Sequence, residues 1–122
     1  MTSRILQSEF IKQGHPWLLA KGFDGSCPCG DFIDKNQIDP SSSVNLWLSV
    51  NGEMKQNGHT RNMIFSIPDI IVYISKYITL DHGDLILTGT PAGVGPVKRG
   101  DQIEAGINGE NQFKYAMKFN IS

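Results

Sequence analysis

Cysteine is nearly absent from this sequence: among 122 residues only Cys27 and Cys29 occur, in a Cys-Pro-Cys arrangement. That spacing is too short for an ordinary disulfide, and no second pair completes a zinc cage, so the two read as reduced thiols of an intracellular protein. A surplus of either charge is also lacking. Eleven basic and 12 acidic residues give a net charge of −1, which leaves no electrostatic footprint for nucleic acid or for a membrane surface. No apolar run approaches the roughly 18 residues that a membrane span needs. Glu9 stands close behind Arg4 with no apolar stretch after it, so neither a signal peptide nor a transit peptide is encoded here. What is left is a chain of single-domain size, residues 1–122, long enough to bury a core without disulfides or metals.

Glycine and proline, by contrast, are plentiful. Thirteen Gly and six Pro with 39% hydrophobic residues predict a turn-rich, mixed but mainly β domain with short helices packed on it. The stretch around which the rest is organised is 84–96, where the apolar run Leu85-Ile86-Leu87 enters a loop of glycines, threonines and prolines. The apolar part predicts a strand. Gly89, Gly93 and Gly95 with Pro91 and Pro96 fix an unusual path, and the hydroxyls of Thr88 and Thr90 sit where the chain leaves that strand. Such a loop brings backbone N–H groups and a neutral hydroxyl close to a carboxylate or phosphate; the alternative is a plain turn. Without the Lys-Ser/Thr ending of a P-loop, a nucleotide is not its natural guest.

Upstream, residues 2–14 predict a helix, capped by Thr2 or Ser3, with Ile5, Leu6, Phe10 and Ile11 on its apolar side and Gly14 at its end. Arg4 and Gln7 are three apart and therefore share a helical face, where a guanidinium and an amide jointly grip a carboxylate or keto group, or else meet solvent. From His15 to Pro40 no period persists, and Pro16, Gly22, Gly25, Pro28, Gly30 and Pro40 cut the stretch into turns. Within it Lys21 follows four apolar residues, which makes it the basic residue most readily drawn into a partly buried place, as an electrophile or proton donor facing a cleft; a solvent-facing lysine is the alternative.

Val44, Leu46, Leu48 and Val50 alternate with polar partners, and Asn51-Gly52 predicts a hairpin whose return begins at Glu53. His59 and Arg61 follow near a turn, and the Met63-Ile64-Phe65 run comes next; either can line a cleft, or His59 is a surface histidine. Ile67, Ile70, Ile71, Ile74 and Ile78 form a helical stripe with Pro68 in the first turn and Asp69 at the positive end of the dipole, and so many β-branched residues predict that the stripe is buried against the sheet. Asp81-His82-Gly83-Asp84 reads as a turn. A second hairpin closes the chain, with Ile103, Ala105 and Ile107 on one strand, reversal at Asn108-Gly109, and Phe113, Tyr115, Met117 and Phe119 on the other.

Five stretches together resemble the fumarylacetoacetate hydrolase superfamily: Met1-Thr2-Ser3-Arg4-Ile5-Leu6-Gln7, Leu19-Ala20-Lys21-Gly22-Phe23-Asp24, Leu46-Trp47-Leu48-Ser49-Val50-Asn51-Gly52-Glu53, Met63-Ile64-Phe65-Ser66-Ile67-Pro68 and Leu87-Thr88-Gly89-Thr90-Pro91-Ala92-Gly93-Val94-Gly95. The resemblance implies the later part of that family's β-roll or β-sandwich, and a metal-dependent hydrolase of acylpyruvates and/or an oxaloacetate decarboxylase. It implies Lys21 as the catalytic residue facing the enolate oxygen or substrate carboxylate, with Arg4, Gln7, Gly89 and Thr90 holding the keto-acid head. Its further implications are a small keto-acid substrate or an oxalate-like inhibitor, a homodimer, and a mitochondrial or cytosolic setting. The family's Mg²⁺ or Mn²⁺ is held by two glutamates and an aspartate, and its lid carries a His-Glu pair. None of these is in this sequence, so no metal ligand is assigned to it, the domain reads as incomplete, and a second reading stays open: a truncated, inactive form that keeps the substrate-holding residues and the dimerisation surface.

Overall fold

The computed structural model describes residues 1–38, 42–109 and 112–122. Pro40, one of the residues expected to break the 15–40 stretch, lies outside them. The chain forms two compact units, Met1–Asp31 and Phe32–Ser122.

In the first unit, helix α1 spans Arg4–Gln13, with Ser3 at its N-terminal boundary and Gly14 at its end in the left-handed region, φ 68°. Only glycine enters that region without a Cβ penalty, which is why the helix stops there. Ser3 makes no side-chain cap; its N–H instead donates to the Ala20 carbonyl at 3.0 Å. Helix α2, Leu18–Lys21, is a single turn inside the segment expected to be irregular. Ile5 and Ile11, on the expected apolar side of α1, are exposed, while Gln7 is the buried residue of that helix.

The second unit is built on a four-stranded antiparallel sheet of order β2-β1-β3-β4, with β1 Asn45–Val50, β2 Glu53–His59, β3 Gln102–Asn108 and β4 Lys114–Asn120. Asn51 and Gly52, at φ 51° and 80°, make the tight turn that a twisted two-stranded hairpin requires. The second hairpin is wider than the Asn-Gly signal implies: Asn108 pairs with Lys114, and Gly109 N–H donates to the Phe113 carbonyl at 2.8 Å. Trp47 lies opposite Gly106, where an added Cβ would come within 2.7 Å of the indole; the glycine is the space into which that ring packs. In β2 the register passes from Leu48↔Gln56 to Ser49↔Met54, so Lys55 is the extra residue of a bulge.

Helix α3, Ile67–Ser75, begins with Pro68 in its first turn and a reciprocal cap in which Ser66 accepts from the Asp69 N–H and Asp69 accepts from the Ser66 N–H. It ends earlier than the isoleucine stripe, leaving Ile78 beyond it. The expected burial of that stripe is not met: no residue of α3 is buried, and Ile71 and Ile78 are exposed. Nor does residues 84–88 form a strand. The segment is unpaired, and Leu85 and Leu87 are 76% and 81% exposed. Both departures have one cause. A single sheet layer leaves apolar surface with nothing laid over it, and among the described residues only Ala20, Val44 and Ile103 are apolar and buried, so the self-sufficient core expected from length is absent.

One polar knot ties the two hairpins. Asn51 Nδ2 donates to Asp101 Oδ1 at 3.0 Å, and its Oδ1 accepts from Gln102 N–H at 2.9 Å. The second carboxylate oxygen of Asp101 accepts from Lys98 N–H at 2.9 Å. That backbone bond, then the Asn51 amide, hold the Asp101 carboxyl below its ordinary value of 3.8. A carboxylate with a depressed native pKa stabilises the fold above its unfolded pKa, and the contribution disappears as pH falls through the native one. Asp101→Asn should therefore lower the melting temperature by a few degrees at neutral pH, and the gap to wild type should narrow once the pH drops below about 4. A gap that is constant with pH in thermal unfolding would contradict this assignment.

Candidate functional site

The first unit carries three of the residues singled out in the sequence. On α1, Arg4 Nη1 donates to Gln7 Oε1 at 2.8 Å, so the two share a helical face as their spacing requires. With its oxygen occupied, the Gln7 carboxamide keeps its N–H₂ to offer. Lys21, the last residue of α2, donates from Nζ to Thr2 Oγ1 at 2.7 Å. The hydroxyl hydrogen of Thr2 is then the group free to donate. Lys21 is exposed, not drawn inward as its apolar approach suggested, because Trp17, Leu18 and Leu19 before it are exposed as well and only Ala20 is buried. Guanidinium, amide, ammonium and hydroxyl thus present donors, a set suited to an anion and unsuited to a cation.

The second unit carries Gly89 and Thr90. Gln56, buried in β2 beside the Lys55 bulge, donates from Nε2 to Thr90 Oγ1 at 2.9 Å and to the Pro91 carbonyl at 2.7 Å. Three residues on, Gly93 adopts φ 98°, and a Cβ there would sit 1.9 Å from the Lys55 carbonyl oxygen. Across Gly58 the approach is close again, an added Cβ falling 2.9 Å from Pro91 Cβ. Glycine at 58 and 93 is therefore what lets the loop lie against the β2 backbone. The loop and β2 wall an open cleft of about 630 Å³, whose lining includes His59, Met63, Phe65, Thr88, Gly89 and Thr90. Both His59 and the Met63–Phe65 run thus meet the cleft, while Arg61 is exposed outside it. His59 Nδ1 lies 3.5 Å from Ser43 Oγ. The lining combines polar groups, among them His59, Thr88 and Thr90, with the apolar side chains of Met63 and Phe65, as in a site for a small organic ligand.

Among the described residues no three His, Cys, Asp or Glu side chains gather, so the residues present do not by themselves fit a divalent metal. Cys27 and Cys29 are free and exposed. Hydrogen bonding to Cys27, and the repulsion of its charge, push the Cys29 thiol up, away from the thiolate that metals and electrophiles select.

Gln56 is the site residue that sequence patterns passed over; Gly93, picked out as one of the glycines that fix the loop's path, is where that loop comes against the Lys55 carbonyl. The available signal was in β2, where Lys55, Gln56 and Asn57 carry polarity at successive positions, including one that is buried; a buried amide in a strand must find partners. Gly93→Ala imposes a positive φ that costs roughly 1–3 kcal/mol and drives a methyl into the Lys55 carbonyl. The melting temperature should fall by about 5–10 °C, and Thr90 amide resonances should broaden or move. An unchanged variant would mean that the loop does not lie against β2.

Three kinds of similarity bear on this arrangement. The model of the fumarylacetoacetate (FAA) hydrolase C-terminal family matches residues 1–115. Mouse (Mus musculus) mitochondrial oxaloacetate tautomerase FAHD1 is 55% identical over 118 residues, 97% of this chain and 53% of that protein. The mitochondrial oxaloacetate decarboxylase of Dictyostelium discoideum is 52% identical over 109 residues, 89% of this chain and 50% of that protein. Among solved structures, fumarylpyruvate hydrolase from Pseudomonas aeruginosa in complex with Mn²⁺ and pyruvate superposes with a TM-score of 0.87 at 32% identity, covering 100% of this chain and 52% of that one. Yeast ynq8, a fumarylacetoacetate hydrolase family protein, gives 0.91 at 35% identity, covering 99% and 52%. The chain spans about half the length of the curated relatives it matches. Because the family match begins at the first residue and runs through both compact units, and the backbone agrees with solved family members, this chain belongs to the fumarylacetoacetate hydrolase family.

Proposed function

We propose that this chain is part of an enzyme of small keto acids, acting as an acylpyruvate C–C hydrolase and/or on oxaloacetate by decarboxylation or tautomerisation, and that its two units belong to one catalytic domain. The observation that carries the reading is the identity, above half, with an oxaloacetate tautomerase and an oxaloacetate decarboxylase across nearly all of this chain. The family match through both units supports their belonging to one domain.

The three reactions share a physical problem. Cleaving an acylpyruvate, decarboxylating oxaloacetate and shifting its keto–enol balance all develop negative charge on the 2-oxygen as the enolate forms, next to a carboxylate that is already charged. Fixed donors aimed at those oxygens lower that barrier, because they need no reorganisation when the charge appears. In this reading Lys21, tethered at Nζ by Thr2, faces the enolate oxygen or the carboxylate. Arg4 and Gln7 hold the keto-acid head through the donors their mutual bond leaves free. In the second unit, taken by itself, the Gly89 N–H and the Thr90 hydroxyl are the donors for a carboxylate at the cleft, beside Met63 and Phe65. Mg²⁺ or Mn²⁺ serves the family as electrophile, and the Mn²⁺ and pyruvate in the Pseudomonas aeruginosa hydrolase structure support both ligand classes. The described residues gather no ligand set for the metal, so the roles proposed for this chain run through its hydrogen-bond donors.

A homodimer and a mitochondrial location complete the proposal. Exposed Ile64, Phe65, Leu85, Leu87 and Tyr77 support association, since apolar surface of this kind seeks a cover; the mitochondrial names of relatives support the location. The span of half the relatives' length favours a second reading, in which the chain holds a keto acid or pairs with a longer subunit without turning substrate over.

Turnover and binding separate the readings. With Mg²⁺ present, the enzyme reading expects conversion of oxaloacetate or acetylpyruvate that Lys21→Ala abolishes, whereas a chain that binds oxalate but gives no rate above background belongs to the second. Under either, Thr90→Val and Lys21→Ala should each weaken oxalate binding about tenfold, the worth of one charge-assisted hydrogen bond. Calorimetry showing no oxalate binding by the wild-type chain would sink the enzyme reading and leave, of the second, only the pairing with a longer subunit.

A further inference from the structure

We propose that Gln56 is a positioning residue that sets the direction of the Thr90 hydroxyl, making it a hydrogen-bond donor toward the carboxylate in the cleft; the second half of this statement rests on the keto-acid reading above.

A threonine hydroxyl can donate or accept, and an uncommitted one rotates. Thr90 is not uncommitted. Gln56 Nε2 lies 2.9 Å from Thr90 Oγ1 and 2.7 Å from the Pro91 carbonyl oxygen. Glutamine's oxygen and nitrogen are alike in shape, so the partners must decide which is which. Here they do so, because a carbonyl oxygen only accepts and would repel an amide oxygen at that distance. The group facing Pro91 is therefore the N–H₂. Its other hydrogen meets Thr90 Oγ1 as a donor, so the threonine oxygen accepts and its own hydrogen points elsewhere. Thr90 is exposed and lines the cleft, which is where that hydrogen finds an acceptor.

Polarity is thus passed along in a fixed order: the Pro91 carbonyl orients the amide, the amide orients the hydroxyl, and the hydroxyl offers a donor to the ligand. Gln56 is 8% exposed, so water competes little for either bond and the orientation is held more firmly than on an open surface. The Lys55 bulge places the amide there: it shifts the register of β2 so that Gln56 pairs with Leu48 and meets the loop that Gly93 allows to approach. Gln56 itself need not touch substrate.

The test reverses this polarity without changing shape. In Gln56→Glu an ionised carboxylate cannot donate to the Pro91 carbonyl, and it accepts from Thr90, pulling that hydrogen inward. Protonation restores one donor. Because the carbonyl opposes the charge, the introduced carboxyl has a raised pKa in the folded state; its stability contribution is present at low pH and lost as pH rises. Without ligand, Gln56→Glu should melt about 5 °C below wild type near neutral pH, and the gap should close toward about pH 4.5. Gln56→Met, which has no donor to titrate, should show a gap independent of pH. In oxalate titrations with Mg²⁺, both variants should bind about tenfold more weakly than wild type near neutral pH, and Gln56→Glu alone should regain affinity on acidification relative to wild type at the same pH. Wild-type melting and binding by Gln56→Glu near neutral pH would overturn the proposal. If Gln56→Glu does not fold at any pH, Gln56→Met decides, and unchanged oxalate affinity there overturns it. Failure of the wild type to bind oxalate overturns the keto-acid reading, and the ligand-free melting gap then decides the orientation of Thr90 by itself.

Discussion

The contact on which the candidate site depends is the docking of the Thr88–Pro96 loop onto β2. A loop with this much glycine and proline has many paths open to it, and its hydroxyls serve recognition only if one path is selected. Two features select it. Glycine at position 93 permits a backbone approach that any Cβ would block, and the buried Gln56 amide binds two consecutive residues, Thr90 and Pro91. The bulge at Lys55 serves both, since it offers the carbonyl beside Gly93 and re-aims Gln56. Entropy lost in ordering the loop is offset by contacts to a strand already held in a sheet.

The same logic recurs in the first unit on a different scaffold. Gln7 is buried as Gln56 is, and in each case a neighbouring group occupies one side of the amide or hydroxyl pair so that the other side remains a donor. Arg4 occupies Gln7, Lys21 occupies Thr2, and Gln56 occupies Thr90. Within each unit, such a pair has its polarity settled before any ligand arrives, the kind of preorganisation that stabilises developing negative charge. Among the described residues, buried polarity stands beside exposed hydrophobicity: the buried positions include the amides of Gln7 and Gln56 and the Asp101 carboxylate, while Ile64, Leu85 and Leu87 are exposed.

The first hairpin was legible because Asn51-Gly52 and the alternating residues around it encode its geometry locally; the second was legible in its strands, while its turn is wider than Asn108-Gly109 implies. The end of α1 and the start of α3 were legible for the same reason, through Gly14, Pro68 and Asp69, whereas α3 stops before the stripe does. Residues 84–88 were misread as a strand because β-branched and leucine-rich composition reports what a segment would do beside a partner, and pairing is a property of the sheet. The α3 stripe was misjudged likewise: periodicity identifies the face to be covered, and says nothing of whether the cover is in the same chain. Arg4 with Gln7 followed from helical spacing. Gln56 did not, since the meaning of a glutamine in a strand depends on a loop 34 residues away, a distance over which local patterns carry no information.

The central claim is that a small dianion is held by donors on the Gly89–Thr90 loop. Chemical-shift mapping by NMR during an oxalate titration with Mg²⁺ tests it most directly. The account predicts saturable shifts at the Gly89 and Thr90 amides, at the Thr90 methyl and at the Gln56 side-chain N–H₂, with the β3–β4 hairpin unmoved. Shifts that avoid the loop and Gln56, or the absence of any saturable change, would contradict it.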